Sequence, residues 1–168
     1  MNQGIDTEKS YPYQAQNHTC RYRPDSAEIR SRVAFMDIPV GHEWALGSAI
    51  ATRVGKNPIC YLELATVKIL FKGPVTVGID ASHWSFNHYS GGIYRRDKCS
   101  TIHLDHAVLA VGYGVDEDTG EEYYILKNSW GADWGEGGYM RMARTWSNMC
   151  GIATQATFPI VTEEIIIP

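Results

Sequence analysis

The chain has 168 residues, 44% of them apolar and 20% charged, with a net charge of −4; that length and balance suit one soluble domain with a real core. The acidic balance gives no reason to expect nucleic acid as a partner, and no window reaches the apolar run that a membrane helix needs. Met1-Asn2-Gln3-Gly4 does not open a signal peptide. Four cysteines, Cys20, Cys60, Cys99 and Cys150, lack the close paired spacing of a zinc site, so disulfides are the expected use. Asn17-His18-Thr19 is a glycosylation sequon, which agrees with a secretory route.

In chain order, residues 27–39 alternate loosely, with Val33, Phe35 and Ile38 expected inward, and predict a strand running into a turn. Residues 42–51 follow with Leu46 and Ile50, and Ala45 and Ala49, four apart, which predicts a short core-packing helix. Residues 73–80 read as a buried strand, with Pro74 at its start where no ladder donor is needed. Residues 82–89, rich in His and aromatics, predict a helical turn before a Gly91-Gly92 loop. His83, His88 and His103, with His106 and Asp105, match no helix-face metal motif, so no metal and no cofactor are expected.

Two later runs carry the chemistry. In 104–114, His106 shares a strand face with Val108, Ala110 and Gly112; in 123–131, Tyr124 and Leu126 share one with Asn128. The polar stretch 115–122 between them reads as a turn, so the runs pair antiparallel and bring an imidazole to a side-chain amide. An amide that accepts from one ring nitrogen fixes the tautomer and leaves the other nitrogen for proton transfer. A hydrogen-bonded core histidine and a turn asparagine are the bland alternative. Beyond them, Trp130 and Trp134 flank Gly131, Gly135, Gly137 and Gly138, where glycine lets the backbone turn tightly and the indoles line a cleft; ordinary strand-loop packing explains them equally well. Tyr139, Arg141 and Ala143 alternate with Met140, Met142 and Arg144 in a further strand, and 162–168 form a frayed tail.

Asp105-His106-Ala107-Val108, the run from Lys127-Asn128-Ser129-Trp130-Gly131 to Gly137-Gly138-Tyr139, and Cys150-Gly151-Ile152-Ala153 stand in order. With Gly73-Pro74-Val75-Thr76-Val77 and Ser90-Gly91-Gly92-Ile93-Tyr94, they resemble the carboxy-terminal half of a papain-like cysteine peptidase of the cathepsin L group. The resemblance implies an α+β, papain-like fold in which residues 1–161 form mainly the β-barrel domain. It assigns His106 as acid/base and Asn128 as its orienter, with Trp130 covering their contact and Trp134 on the leaving-group side of the cleft. It puts Gly78, Leu104, Asp105, Ala107 and Gln155 at the substrate, Gln155 closing the bottom of a specificity pocket. It also pairs Cys99 with Cys150, and Cys20 with a cysteine before this chain's start. By the same resemblance the expected partners are polypeptide substrates and propeptide or cystatin-like inhibitors, and the location is lysosomal or secreted.

Two departures qualify that reading. The family's nucleophilic cysteine lies roughly 130–150 residues before its histidine, yet only 105 residues precede His106, and neither Cys20 nor Cys60 stands in a Cys-Gly-Ser-Cys-Trp-like context. The expectation is therefore an amino-terminally truncated peptidase without its nucleophile or helical half, inactive alone; the rival is a non-enzymatic peptide-binding or regulatory fragment. In addition, residues 54–72 interrupt the family pattern, and removing them joins Ala49-Ile50-Ala51-Thr52-Arg53 directly to Gly73-Pro74-Val75. Codons for Val54-Gly55-Lys56 can begin like a splice donor and those for 69–72 can end like an acceptor, so the segment reads as a retained intron or as a genuine added strand or helix.

Overall fold

The structure, a computed structural model, describes residues 9–12, 14, 16–23, 33–54 and 74–161, without the side chains of 33, 52–54, 160 and 161. The atypical segment, from residue 55 onward, and the tail 162–168 lie outside the described residues, as does Cys60.

One seven-stranded sheet organises the chain. Its strands are β1 (Val33–Asp37), β2 (Val75–Ile79), β3 (Ile93–Tyr94), β4 (His106–Val115), β5 (Glu122–Lys127), β6 (Tyr139–Ala143) and β7 (Ala156–Val161). Their order across the sheet is β1-β7-β2-β4-β5-β6-β3, so β1 and β3 are its edges among the described residues. Every ladder is antiparallel except the short β3–β6 pair. Among the described residues two α-helices accompany it, α1 (Glu43–Val54) and the single turn α2 (Trp84–Asn87), with a short 3-10 turn at Met149–Gly151.

The strand pattern follows from side-chain alternation. Val75, Val77 and Ile79 of β2, Val108 and Ala110 of β4, Tyr124 and Leu126 of β5, and Met140 and Met142 of β6 all point into one core and are essentially inaccessible. Helix α1 lies against β4 and adds Leu46 and Ile50, four residues apart and fully buried, each contributing about 1.5–3 kcal/mol. The helix runs three residues past its expected end at Ala51. A disulfide joins Cys99 to Cys150 across 51 residues of chain.

Two face assignments read from alternation do not hold. Gly112 does not share the face of His106, because the β4–β5 register slips at a bulge: Ala110 is opposite Leu126, but Gly112 is opposite Ile125. The extra residue, Val111, reverses the phase, and a Cβ on Gly112 would come within 3.2 Å of the Ile125 side chain. Phe35 is 71% exposed instead of inward, since β1 is an edge strand and the side chain that turns into the core is Ile38, just past its end.

Candidate active site

β4 begins at His106 and β5 ends one residue before Asn128, so their antiparallel ladder delivers both side chains to the same end of the sheet. His106 Nε2 stands 2.9 Å from Asn128 Oδ1. A carboxamide oxygen only accepts, so Nε2 carries the proton and Nδ1 keeps a lone pair. Asn128 is itself fixed: its Oδ1 also accepts from the Ser129 N–H at 2.7 Å, and its backbone N–H donates to Gly138 O at 3.0 Å. The amide is 9% exposed, whereas the imidazole is half-buried.

Aromatic rings shape the rest. Trp130, 43% exposed, lies over the imidazole with ring centroids 5.0 Å apart and planes 36° from parallel. Phe86 of α2, fully buried, meets the imidazole edge-on at 5.8 Å and Trp130 at 5.5 Å. Trp134 stands behind them, half-buried, 5.3 Å from Phe86 and 5.5 Å from Tyr89, with its indole N–H donated to Asn87 O. The imidazole thus has one nitrogen committed to the amide, apolar walls and, among the described residues, no partner on its other nitrogen. Phe86 was invisible as a site residue in sequence, because a Phe in a short aromatic run carries no chemistry of its own.

The glycine-rich loop between β5 and β6 is tied down from outside. Gly135 has φ +59°, and a Cβ there would lie 2.5 Å from Tyr139 O, so only glycine lets the loop close. Beside it, Glu136 forms a bidentate pair with Arg141, at 2.7 and 3.0 Å, and accepts the Gly92 N–H at 2.9 Å. The Arg141 guanidinium holds the Glu136 carboxyl below its ordinary range, against a smaller opposing effect of burial.

A cavity of about 340 Å³ opens beside the pair, lined by Gly78, Leu104, Asp105, His106, Ala107 and Gln155, with Thr76 and Thr157. Gly78 and Ala107 face each other across the β2–β4 ladder, and their small size leaves the depression. A Cβ on Gly78 would sit 3.0 Å from Leu104 Cδ1 and 3.5 Å from Gln155. Asp105 turns its Oδ1 to the Ala81 N–H at 2.7 Å. Neither threonine was assigned to the site in sequence; they alternate along strands as ordinary β residues do.

Of the other histidines near the site, His83 and His88 have local structural partners. His83 Nδ1 caps α2 by accepting the Ser85 N–H, and His88 Nδ1 donates to Trp84 O at 2.9 Å. His103 is exposed, and its backbone N–H donates to Ser100 Oγ at 2.8 Å. Among the described residues no three metal-ligating side chains gather, and the one free thiol, Cys20, is exposed with no bond to His106.

Residues 1–160 match the family profile described as papain family cysteine protease. A cathepsin L-like peptidase of Aedes aegypti is 46% identical over 95% of this chain and 41% of its own length. Testin-2 of Rattus norvegicus is 44% identical over 95% and 42%. Among solved structures, digestive procathepsin L 3 from Tenebrio molitor larval midgut superposes with a TM-score of 0.75 at 40% identity, covering 94% of this chain and 44% of that one. Bromelain from Ananas comosus, in complex with the E64 inhibitor, gives a TM-score of 0.73 at 34% identity over 95% and 64%. The chain spans about two fifths of the length of the curated relatives it matches.

Proposed function

The chain belongs to the papain family of cysteine proteases, and from that premise we propose that it supplies the acid/base half of a cathepsin L-like endopeptidase site. The observation that carries this reading is the 2.9 Å bond from His106 Nε2 to Asn128 Oδ1 beneath Trp130. With Nε2–H committed to the amide, Nδ1 accepts the proton of a thiol, and the resulting imidazolium stabilises the thiolate. The thiolate attacks the peptide carbonyl carbon, and Nδ1–H returns its proton to the leaving amine; water then resolves the thioester with the imidazole as base.

The thiol itself belongs, in this proposal, to a helical half outside these 168 residues. Cys99 and Cys150 are consumed in their disulfide, Cys20 is exposed and unattached to the imidazole, and Cys60, outside the described residues, stands in no Cys-Gly-Ser-Cys-Trp-like context. Exposed Trp84, at 67%, and Trp130 are apolar surface that such a half would cover. The cavity between Gly78 and Gln155 would take the side chain two residues before the scissile bond. Gln155 at its floor favours a polar or small group there. Polypeptide substrates, propeptide or cystatin-like inhibitors, and a lysosomal or secreted location complete the reading. Among the described residues no helix is long and apolar enough to cross a membrane. The domain itself is taken as residues 1–161.

Complementation tests it. The chain alone should not hydrolyse a dipeptidyl fluorogenic amide; mixed with a separately produced helical half carrying the thiol, it should. His106→Ala should lower the assembled rate about 10²–10⁴-fold. Hydrolysis by the chain alone, blocked by a thiol-directed epoxide, would refute the external thiol. An assembly that binds peptide but never cleaves it would return the non-enzymatic alternative.

A further inference from the structure

Asn17-His18-Thr19 is the one Asn-X-Ser/Thr triplet in the 168 residues, and the peptidase chemistry makes no use of it. It stands on a loop closed at its neck by Arg21. The Arg21 N–H donates to Tyr11 Oη at 3.1 Å, its guanidinium donates to Gln14 Oε1 at 3.1 Å, and the same guanidinium lies 5.1 Å from the Tyr11 ring centroid. Beyond that neck the chain bends at Gln16, and residues 16–20 are all exposed. Neither the Asn17 carboxamide nor the Thr19 hydroxyl has a hydrogen-bond partner among the described residues. A pair of polar groups that the fold neither buries nor engages costs nothing to divert to another use.

Asn148-Met149-Cys150 shows what an unsuitable triplet looks like. Asn148 Oδ1 accepts the Ala153 N–H and its Nδ2 donates to Thr154 Oγ1, both at 2.8 Å, while Cys150 is fully buried in the disulfide. A glycan there would break the packing of the loop, whereas one on Asn17 stays in water.

We propose that Asn17 is the acceptor of an N-linked glycan. The donor class is a lipid-pyrophosphate-linked oligosaccharide of the secretory lumen. The Asn17 amide nitrogen forms a bond to the anomeric carbon of the first sugar and loses one proton. The bond from that carbon to the pyrophosphate oxygen breaks, and the lipid pyrophosphate leaves with the electron pair. Thr19 supplies the hydroxyl that defines the acceptor triplet.

The test is translation of the whole chain behind a cleavable secretory leader in the presence of endoplasmic-reticulum membranes, with a second sequon appended at the carboxy terminus as a control of translocation. Two glycan-sized mobility steps are expected, both removed by peptide N-glycosidase, and release in heavy-oxygen water should mark residue 17 as aspartate. Asn17→Gln and Thr19→Ala should each lose one step, and Thr19→Ser and Asn148→Gln should keep both. A single step from the control sequon alone in the unmutated chain would overturn the proposal, as would two steps that persist in Asn17→Gln.

Discussion

Among the described residues the fold buries two polar side chains, Asn128 and Glu43, and it treats them in opposite ways. Asn128 is neutral, so its burial carries no charge penalty; its oxygen takes two hydrogen bonds and, through one of them, holds an imidazole whose other nitrogen has no partner among the described residues. Glu43 opens α1 and reaches 105 residues along the chain to accept the Asn148 N–H at 2.7 Å. The segment it holds is strained: Trp146, Asn148 and Cys150 all have positive φ, between 52° and 59°. Arg144, stacked 4.0 Å from the Trp146 ring centroid, packs so closely on α1 that a Cβ at Gly47 would meet its guanidinium. The lesson is that a buried amide here orients a neighbouring ring, whereas a buried carboxylate fastens a loop.

The comparison can be broken at four points. The largest effect should come from the disulfide, which pins the same strained segment. Closing a loop of 51 residues restricts the unfolded chain by about 4 kcal/mol on the chain-entropy model. Cys99→Ser/Cys150→Ser should lose an amount of that order in urea unfolding, and an unchanged midpoint would show that the segment is held by Glu43 and packing alone.

Glu43 comes next. Glu43→Ala strands the Asn148 N–H and should cost about 2 kcal/mol. Glu43→Gln reads the charge. Desolvation by burial raises the Glu43 carboxyl above its ordinary 4.5, outweighing the opposing backbone N–H groups and the Arg144 charge. The folded state therefore holds this proton more tightly than the unfolded state, and the stability gained is complete below pH 4.5. It is lost as pH rises through the folded value. The difference in thermal midpoint, unmutated chain minus Glu43→Gln, should fall as pH rises from 4.5; a difference independent of pH would remove the charge from the account.

On the other side, Trp130→Ala uncovers the imidazole. It should cost about 1 kcal/mol of aromatic packing and speed the exchange of the His106 Nε2 proton with water, followed by nitrogen-15 NMR. An exchange rate unchanged by the substitution would mean that Trp130 does not shield the bond. The smallest effect belongs to Glu136→Gln, worth less than about 1 kcal/mol because the pair with Arg141 is partly solvated. Its slope has the opposite sign to that of Glu43. A depressed carboxyl stabilises the fold above pH 4.5 and loses that contribution as pH falls through the folded value. Parallel pH slopes for Glu43→Gln and Glu136→Gln would defeat the distinction between a buried and a paired carboxylate.

Much of the sheet was legible because alternation is a local property. Strands β2, β4, β5 and β6 and the faces of Val108, Ala110, Tyr124 and Leu126 follow from residue spacing alone, and so does the meeting of His106 with Asn128 once two strands share a short turn. The bulge at Val111 was not legible, since a glycine-rich strand gives no local mark of where one residue is added. Phe35 misled because an edge strand has an inward and an outward face only when a neighbour covers one of them.

The sequence by itself determined which residues to bring together: an imidazole and an amide at matching ends of two strands, in a motif order that assigned the family. Tertiary structure decided everything that depends on contacts between distant segments. It brought Phe86 under the imidazole, set Thr76 and Thr157 in the wall of the cavity, and turned Glu43 from a first-turn helix acid into the tie for a loop 105 residues away. The physical reason is that periodicity fixes which face a side chain takes, while burial and hydrogen bonding depend on what the rest of the chain puts against that face.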